Sequence, residues 1–260
     1  MGRYLALVPM ALALAACGGG GGGGALSLDP VANAAEKTAK QGSAKIYFTM
    51  SGGGITGTGT GLFDNDGSAG RMSMDVQAKG KSLHMDAVSQ GFVIYLKSPV
   101  FQRESGFPKG KEWLKIDLKK AAKSLGLDLD SLQSMSPGST LSVLRGSRGK
   151  PTTIGEEKVA GVETTHYRTR IDLQAAANKA SGAAAKTLRR LVQLTGQKTM
   201  SVEAWVDGNG LVRKESYSQR YGPGQPLVKL TQVLYDFGPH VSIAAPPSDK
   251  VFDATSLATP

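Results

Sequence analysis

The chain has 260 residues, of which 40% are hydrophobic and 6% aromatic, a lean but sufficient supply for one large core or two small ones. Its formal charge of +10 favours anionic partners such as a membrane surface, whereas no nucleic-acid recognition motif accompanies that charge, so nucleic acid is set aside. The single cysteine, Cys17, excludes an internal disulfide.

Arg3 and the apolar run from Tyr4 to Ala16 have the form of an export signal, and the run is shorter than the roughly 20 apolar residues of a membrane span. Leu14-Ala15-Ala16-Cys17 resembles the bacterial lipoprotein processing box, in which the cysteine takes a diacylglyceryl group and becomes the mature N-terminus. The expectation is a signal peptide over 1–16 and a lipid anchor on Cys17. The Gly18–Gly24 run makes a flexible tether over 17–28, and one domain over 29–260 follows. The protein would then sit on the outer, extracytoplasmic face of the cell membrane.

Asp29-Pro30 is a helix start, and Val31, Ala34, Ala35 and Thr38 follow at helical spacing before Gly42 as a stop. From Ala44 to Leu96 the period becomes two, predicting an antiparallel meander. Ile46, Phe48 and Met50 share one face, as do Met72, Met74 and Val76, Leu83, Met85 and Ala87, and Phe92, Ile94 and Leu96. Asp64 to Gly67 and Lys79-Gly80-Lys81 are turns. Glycines 52–54, 57, 59 and 61 predict bulges or tight curvature, hence a strongly curved sheet. A polar loop is expected from Lys97 to Glu112, a strand from Trp113 to Leu118, and a helical insertion from Lys119 to Arg145.

A second strand block opens near Thr152, with a turn at Ala160-Gly161 and a strand from Thr164 to Ile171. Asp172 caps a helix reaching Ala180, and Ser181 caps another. In that second helix Ala184, Leu188, Leu191 and Thr195 form the apolar side and Lys186, Arg189, Arg190 and Gln193 the wet side, with Gly196 ending it. Three more strands cover Lys198 to Val206, Leu211 to Tyr221 and Leu227 to Phe237, the first two joined by a turn at Asp207 to Gly210. The Pro-containing tail from Phe237 to Thr255 closes along a sheet edge.

Catalytic patterns are weak. Gly52 to Gly57 matches GxGxxG, but a strand follows where a helix would have to receive a pyrophosphate, so no cofactor is assigned. The three histidines, His84, His166 and His240, form neither HExxH nor a cluster with cysteine, and no GxSxG elbow places a serine. His166 reads as a hydrogen-bonded structural residue. Asp64 and Asp66 fall in a turn and lack the other ligands of a calcium loop, so no metal is assigned.

Leu14 to Cys17, Gly161 to Tyr167, Trp205-Val206-Asp207 with Gly210 to Arg213, and Ala245-Pro246-Pro247 with Val251-Phe252-Asp253 occur in an order that resembles the LppX/LprG group of actinobacterial lipoproteins. That group shares the architecture of LolA lipoprotein carriers. The resemblance implies an α+β fold, a half-barrel antiparallel sheet wrapped over several helices, and an apolar cavity that carries the acyl chains of a lipid or lipoglycan through the envelope. From the residues alone, a dry packed core and a cavity both remain open; the resemblance favours the cavity.

The expected cavity wall is Phe48, Met50, Met72, Met74, Leu83, Met85 and Ile94 from strands with Leu188 and Leu191 from a helix, methionine being adaptable enough to line a lipid site. Lys186, Arg189 and Arg190 are the expected head-group contacts, and the insertion is the expected cover. The rival readings are a non-enzymatic envelope sensor that uses the same fold to bind a protein partner, and a lipid-modifying enzyme that depends on His166 or His240.

Overall fold

The structure, a computed structural model, describes residues 29–64, 69–103, 106–124, 151–179, 195–220 and 224–255, with positions 185, 188, 189, 192, 193 and 222 between them. Cys17, the tether and the part of the expected helical insertion beyond residue 124 lie outside the described residues.

Helix α1, Pro30–Ala39, forms where its cap and periodicity place it. The Asp29 carboxylate accepts from the Val31 and Ala32 amides at 2.9 and 3.2 Å, and Pro30 occupies the first turn, where no N–H is needed. Its buried side carries Val31, Ala32, Ala34, Ala35 and Thr38. Removing the cap by Asp29→Ala should lower the unfolding free energy by about 1 kcal/mol, read from the urea midpoint.

Six strands follow as a meander: β1 Ser43–Gly52, β2 Ile55–Asp64, β3 Ala69–Ala78, β4 Lys81–Gln90, β5 Val93–Lys97 and β6 Trp113–Asp117. Lys79 and Gly80 turn β3 into β4 with φ of 50° and 73°, the left-handed pair a tight hairpin needs. The expected polar loop between β5 and β6 instead contains helix α2, Pro99–Arg103. Ser98 starts it, its hydroxyl donating to the His84 carbonyl and accepting from the Val100 amide, and Phe101 packs against the core. Phe101 in an otherwise largely polar run thereby anchors one helical turn. Helix α3, Leu118–Ser124, leaves β6 with the Asp117 carboxylate on the Lys120 amide.

The second block is β7 Thr152–Val159, β8 Val162–Asp172, helix α4 Leu173–Lys179, β9 Thr199–Asp207, β10 Val212–Gln219 and β11 Val228–Gly238. Asp172 caps α4 through the Ala175 amide, and Gly196 at φ 67° ends the helical residues before β9. Asp207 organises the β9–β10 turn by accepting from the amides of Asn209 and Leu211, both at 2.9 Å.

With a short last strand, β12 (Val251–Asp253), all described strands belong to one sheet, in the order β12-β6-β5-β4-β3-β2-β1-β11-β10-β9-β8-β7. The junction of the two blocks is the antiparallel pairing of β1 with β11, from Ser43↔Gly238 to Ser51↔Lys229. The tail does reach an edge: β12, Val251–Asp253, runs parallel to β6 with Phe252 opposite Leu114. Lys115 pairs with Asp253 at 2.9 Å; bonds from Thr255 and Lys115 hold that carboxyl down at about 2. The sheet is curved and unclosed, ending in β12 on one side and β7 on the other. No described helix is long and apolar enough to cross a membrane.

Candidate binding face of the sheet

Strand alternation gives the sheet an inner face of apolar side chains. Phe48, Met50, Met72, Met74, Met85 and Ile94 all fall on it and are buried in one cluster that also takes in Val31, Ala34 and Ala35 of α1. Leu83 shares the face but is only half-buried, and Leu188 packs against the same cluster from the helical residues near 188. Leu191, Lys186 and Arg190 lie outside the described residues, and Arg189 is exposed. Seven strand positions of the expected wall are therefore on one face, while the expected head-group trio is represented by Arg189 alone.

The glycines of β2 lie in a curved sheet, as expected, but they mark no bulge and they also make room for neighbouring side chains. Pairing runs without a register shift from β1 through β2 to β3, so Gly57, Gly59 and Gly61 mark no bulge. They face inward beneath their neighbours' side chains. A Cβ on Gly59 would lie 2.4 Å from Phe48 Cζ and 2.6 Å from the Ser73 carbonyl oxygen; one on Gly57 would meet Met50 Cγ at 2.9 Å. Three successive inward positions of the strand lack a side chain, so that Phe48 and Met50 can lie across it.

Cross-strand partners trace one row over eight strands: Met85, Met74, Gly59, Phe48, Gln232, Glu215, Ala204 and Tyr167. Its first half is apolar. Its second half contains a residue that periodicity conceals. Glu215 is 1% exposed, and its carboxylate accepts a short hydrogen bond from the Gln232 amide through Oε1, leaving Oε2 without a hydrogen-bond partner. Burial pushes the carboxyl up to about 7, with the Gln232 bond acting in the opposite sense.

Strict alternation from the inward Val212 would send Glu215 outward. The register shift between Val212 and Lys214 inverts the phase of β10, which turns Glu215 and Tyr217 in. A charged residue flanked by Lys214 and Ser216 carries no sequence signal for that inversion.

On the outer face, His166 stacks on Trp205 with ring centroids 4.1 Å apart, and its Nδ1 lies 3.1 Å from Glu157. Trp205 donates its indole N–H to Glu157, and Lys214 sits 3.8 Å above the indole ring. Arg168 forks onto Glu203 at 2.7 and 2.9 Å. His166 thus sits in a stacked, ion-paired ladder. His84 lies between Asp75 and Asp86, and the Asp75 hydrogen bond raises its pKa. His240 meets Asp64 at 2.7 Å. A shallow groove of about 500 Å3 crosses this face beside Lys45, Thr60, Arg71, Ser73 and Tyr235, and is open to solvent. Among the described residues no group of three or more His, Cys, Asp or Glu could hold a metal ion.

No known family profile matches the chain. An uncharacterized 31.2 kDa protein from the rplA-rplJ intergenic region of Streptomyces griseus is 28% identical over 151 residues, which is 55% of this chain. The chain spans about half the length of that curated relative, 48%. In overall architecture it is similar to LprF from Mycobacterium bovis, with a TM-score of 0.48 and 13% identity over 84% of this chain and 95% of that one. It is likewise similar to the Mycobacterium tuberculosis lipoprotein LppX, with a TM-score of 0.48 and 12% identity over 83% and 96%. Identities this low transfer neither a ligand nor a residue role.

Proposed function

We propose that the chain binds the acyl part of a lipid or glycolipid between the inner face of its sheet and the elements packed on it, and carries that lipid in the bacterial envelope while tethered through an acylated Cys17. The observation that supports this reading is the inner face itself. Met50, Met72, Met74 and Met85, from three strands of the meander, come together in one apolar cluster on that face, with glycines at 57, 59 and 61 of β2 between them. Methionine has three rotatable bonds and repacks cheaply, so such a face can open around an alkyl chain and close again. The driving force is removal of apolar area from water, roughly 25 cal/mol per Å2. A basic chain, net +10, is also drawn to an anionic leaflet, where each cation near the surface contributes about 1 kcal/mol.

Native mass spectrometry of the mature chain with Cys17→Ser, purified from an actinobacterial host and then solvent-extracted, should show a discrete extra mass that partitions as lipid. Two neighbouring substitutions assign the face. Leu83 is inward and half-buried, whereas Ser82 is exposed on the other side of β4. Leu83→Glu should reduce bound lipid about tenfold, because a carboxylate must be desolvated beside the alkyl chain, and Ser82→Glu should leave it unchanged. A bare wild-type chain would overturn the carrier reading, and equal loading of the two variants would overturn the choice of face.

A further inference from the structure

Resting on that reading, we infer that the lipid carries a neutral hydroxyl that bonds to Glu215 Oε2 in the interior of the face, with its alkyl chain laid along Phe48, Gly59, Met74 and Met85. The row of cross-strand partners supplies both halves of such a site in one line. From Glu215 on β10 to Met85 on β4 the row crosses five strand spacings of roughly 4.8 Å, about 24 Å, the reach of an extended long acyl chain. Glu215 stands one strand beyond Gln232, the first polar position after the apolar half, and Gln232 fixes Oε1 and leaves Oε2 open.

A buried polar atom with no partner is rare in a folded chain, because leaving it so costs much of its hydration. Among the described residues no cation offsets the carboxyl; burial raises its pKa against the opposing effect of the Gln232 bond. The chemistry of the group that completes it follows. A phosphate or carboxylate would face a buried carboxylate with like charge and is rejected. An ammonium would have to leave water for an apolar cluster with one counter-charge, and desolvation opposes that. A hydroxyl is neutral, inexpensive to bury once bonded, and both donates and accepts, so it suits Glu215 whether or not the carboxyl holds its proton. Mono- and diacylglycerols and other hydroxylated acyl lipids have this combination; free phosphate, phosphatidic acid and unesterified fatty acid anions do not.

Two probes with one alkyl chain separate the head from the tail. Delipidated Cys17→Ser chain is loaded with a fluorescent acyl probe, and 1-monopalmitoylglycerol and methyl palmitate, both delivered from cyclodextrin, compete for it. Monopalmitoylglycerol should displace the probe at about tenfold lower concentration, a charge-assisted hydrogen bond being the difference. Replacing both members of the pair, Glu215→Leu with Gln232→Leu, strands no polar partner and should bring that ratio to about one. Equal displacement by both probes in the wild-type chain would overturn the hydroxyl assignment and leave acyl binding standing. Failure of both probes to compete would overturn acyl binding and this inference with it.

Discussion

Gly59→Ala should lower the unfolding free energy by about 3 kcal/mol, the upper part of the usual range for overpacking a close-fitted interior. The added methyl would sit 2.4 Å from Phe48 Cζ and 2.6 Å from the Ser73 carbonyl oxygen. Neither neighbour yields easily: Phe48 is 1% exposed, and Ser73 is a paired residue of β3 held opposite Asp86 on β4. Backbone conformation is not the reason, because Gly59 does not adopt a positive φ. Gly57→Ala meets the flexible Met50 side chain at 2.9 Å, with the Asp75 carbonyl oxygen at 3.1 Å, and should cost about 1 kcal/mol. Gly155 in β7 has nothing within 4 Å of its would-be Cβ, so Gly155→Ala should change stability by no more than about 0.5 kcal/mol. Urea unfolding of the three variants checks the ranking. Equal small losses at Gly59 and Gly155 would mean that β2 is not covered by Phe48, and the inner row would have to be redrawn.

The second large effect is a pH dependence carried by Glu215. Its carboxyl is pushed up to about 7 in the folded chain from an ordinary value of 4.5, because the charged form loses water and gains no cation. A folded-state value above the unfolded one means that the folded chain binds the proton more tightly. Below pH 4.5 both states are protonated and Glu215 contributes no difference. Between pH 4.5 and about 7 the unfolded chain releases its proton first, so stability falls as pH rises. Above about 7 the loss is complete at about 3 kcal/mol.

Glu215→Gln keeps the shape and a hydrogen-bonding group for Gln232 but cannot ionise. The gap in unfolding free energy between variant and wild type should therefore grow in favour of the variant by about 3 kcal/mol from pH 4.5 to pH 8. Taking the difference removes titrations shared by both chains, including that of His84 between Asp75 and Asp86. Urea unfolding at half-unit pH steps measures it. A gap that stays constant with pH would place the carboxyl in contact with water and remove the unsatisfied Oε2 on which the hydroxyl inference rests.

Local chemistry made much of the fold legible. Alternation in β1, β3 and β4 needs only period two and one buried face, and the turns at Lys79-Gly80, Ala160-Gly161 and Asp207 to Gly210 need only residues that accept left-handed φ or bond their own backbone. Asp29 before Pro30 marks a helix start by the same local logic. That Phe48, Met50, Met72, Met74, Leu83, Met85 and Ile94 share a face is readable because it follows from the parity of the positions.

What the amino-acid order determined by itself was thus most of the elements, their caps and turns, and which residues of an unbulged strand point together, since these are set by neighbours within a few positions. Tertiary structure alone decided how the parts meet. The pairing of β1 with β11 joins segments at opposite ends of the chain, and the parallel docking of β12 on β6 is equally remote, so no local pattern encodes either. The inner glycines were visible, but their reason, room for Phe48 and Met50, exists only once β1 lies beside β2. Glu215 depends on a single extra residue in β10: one bulge reverses the parity of everything after it, and a carboxylate that alternation directs to water is carried into the core.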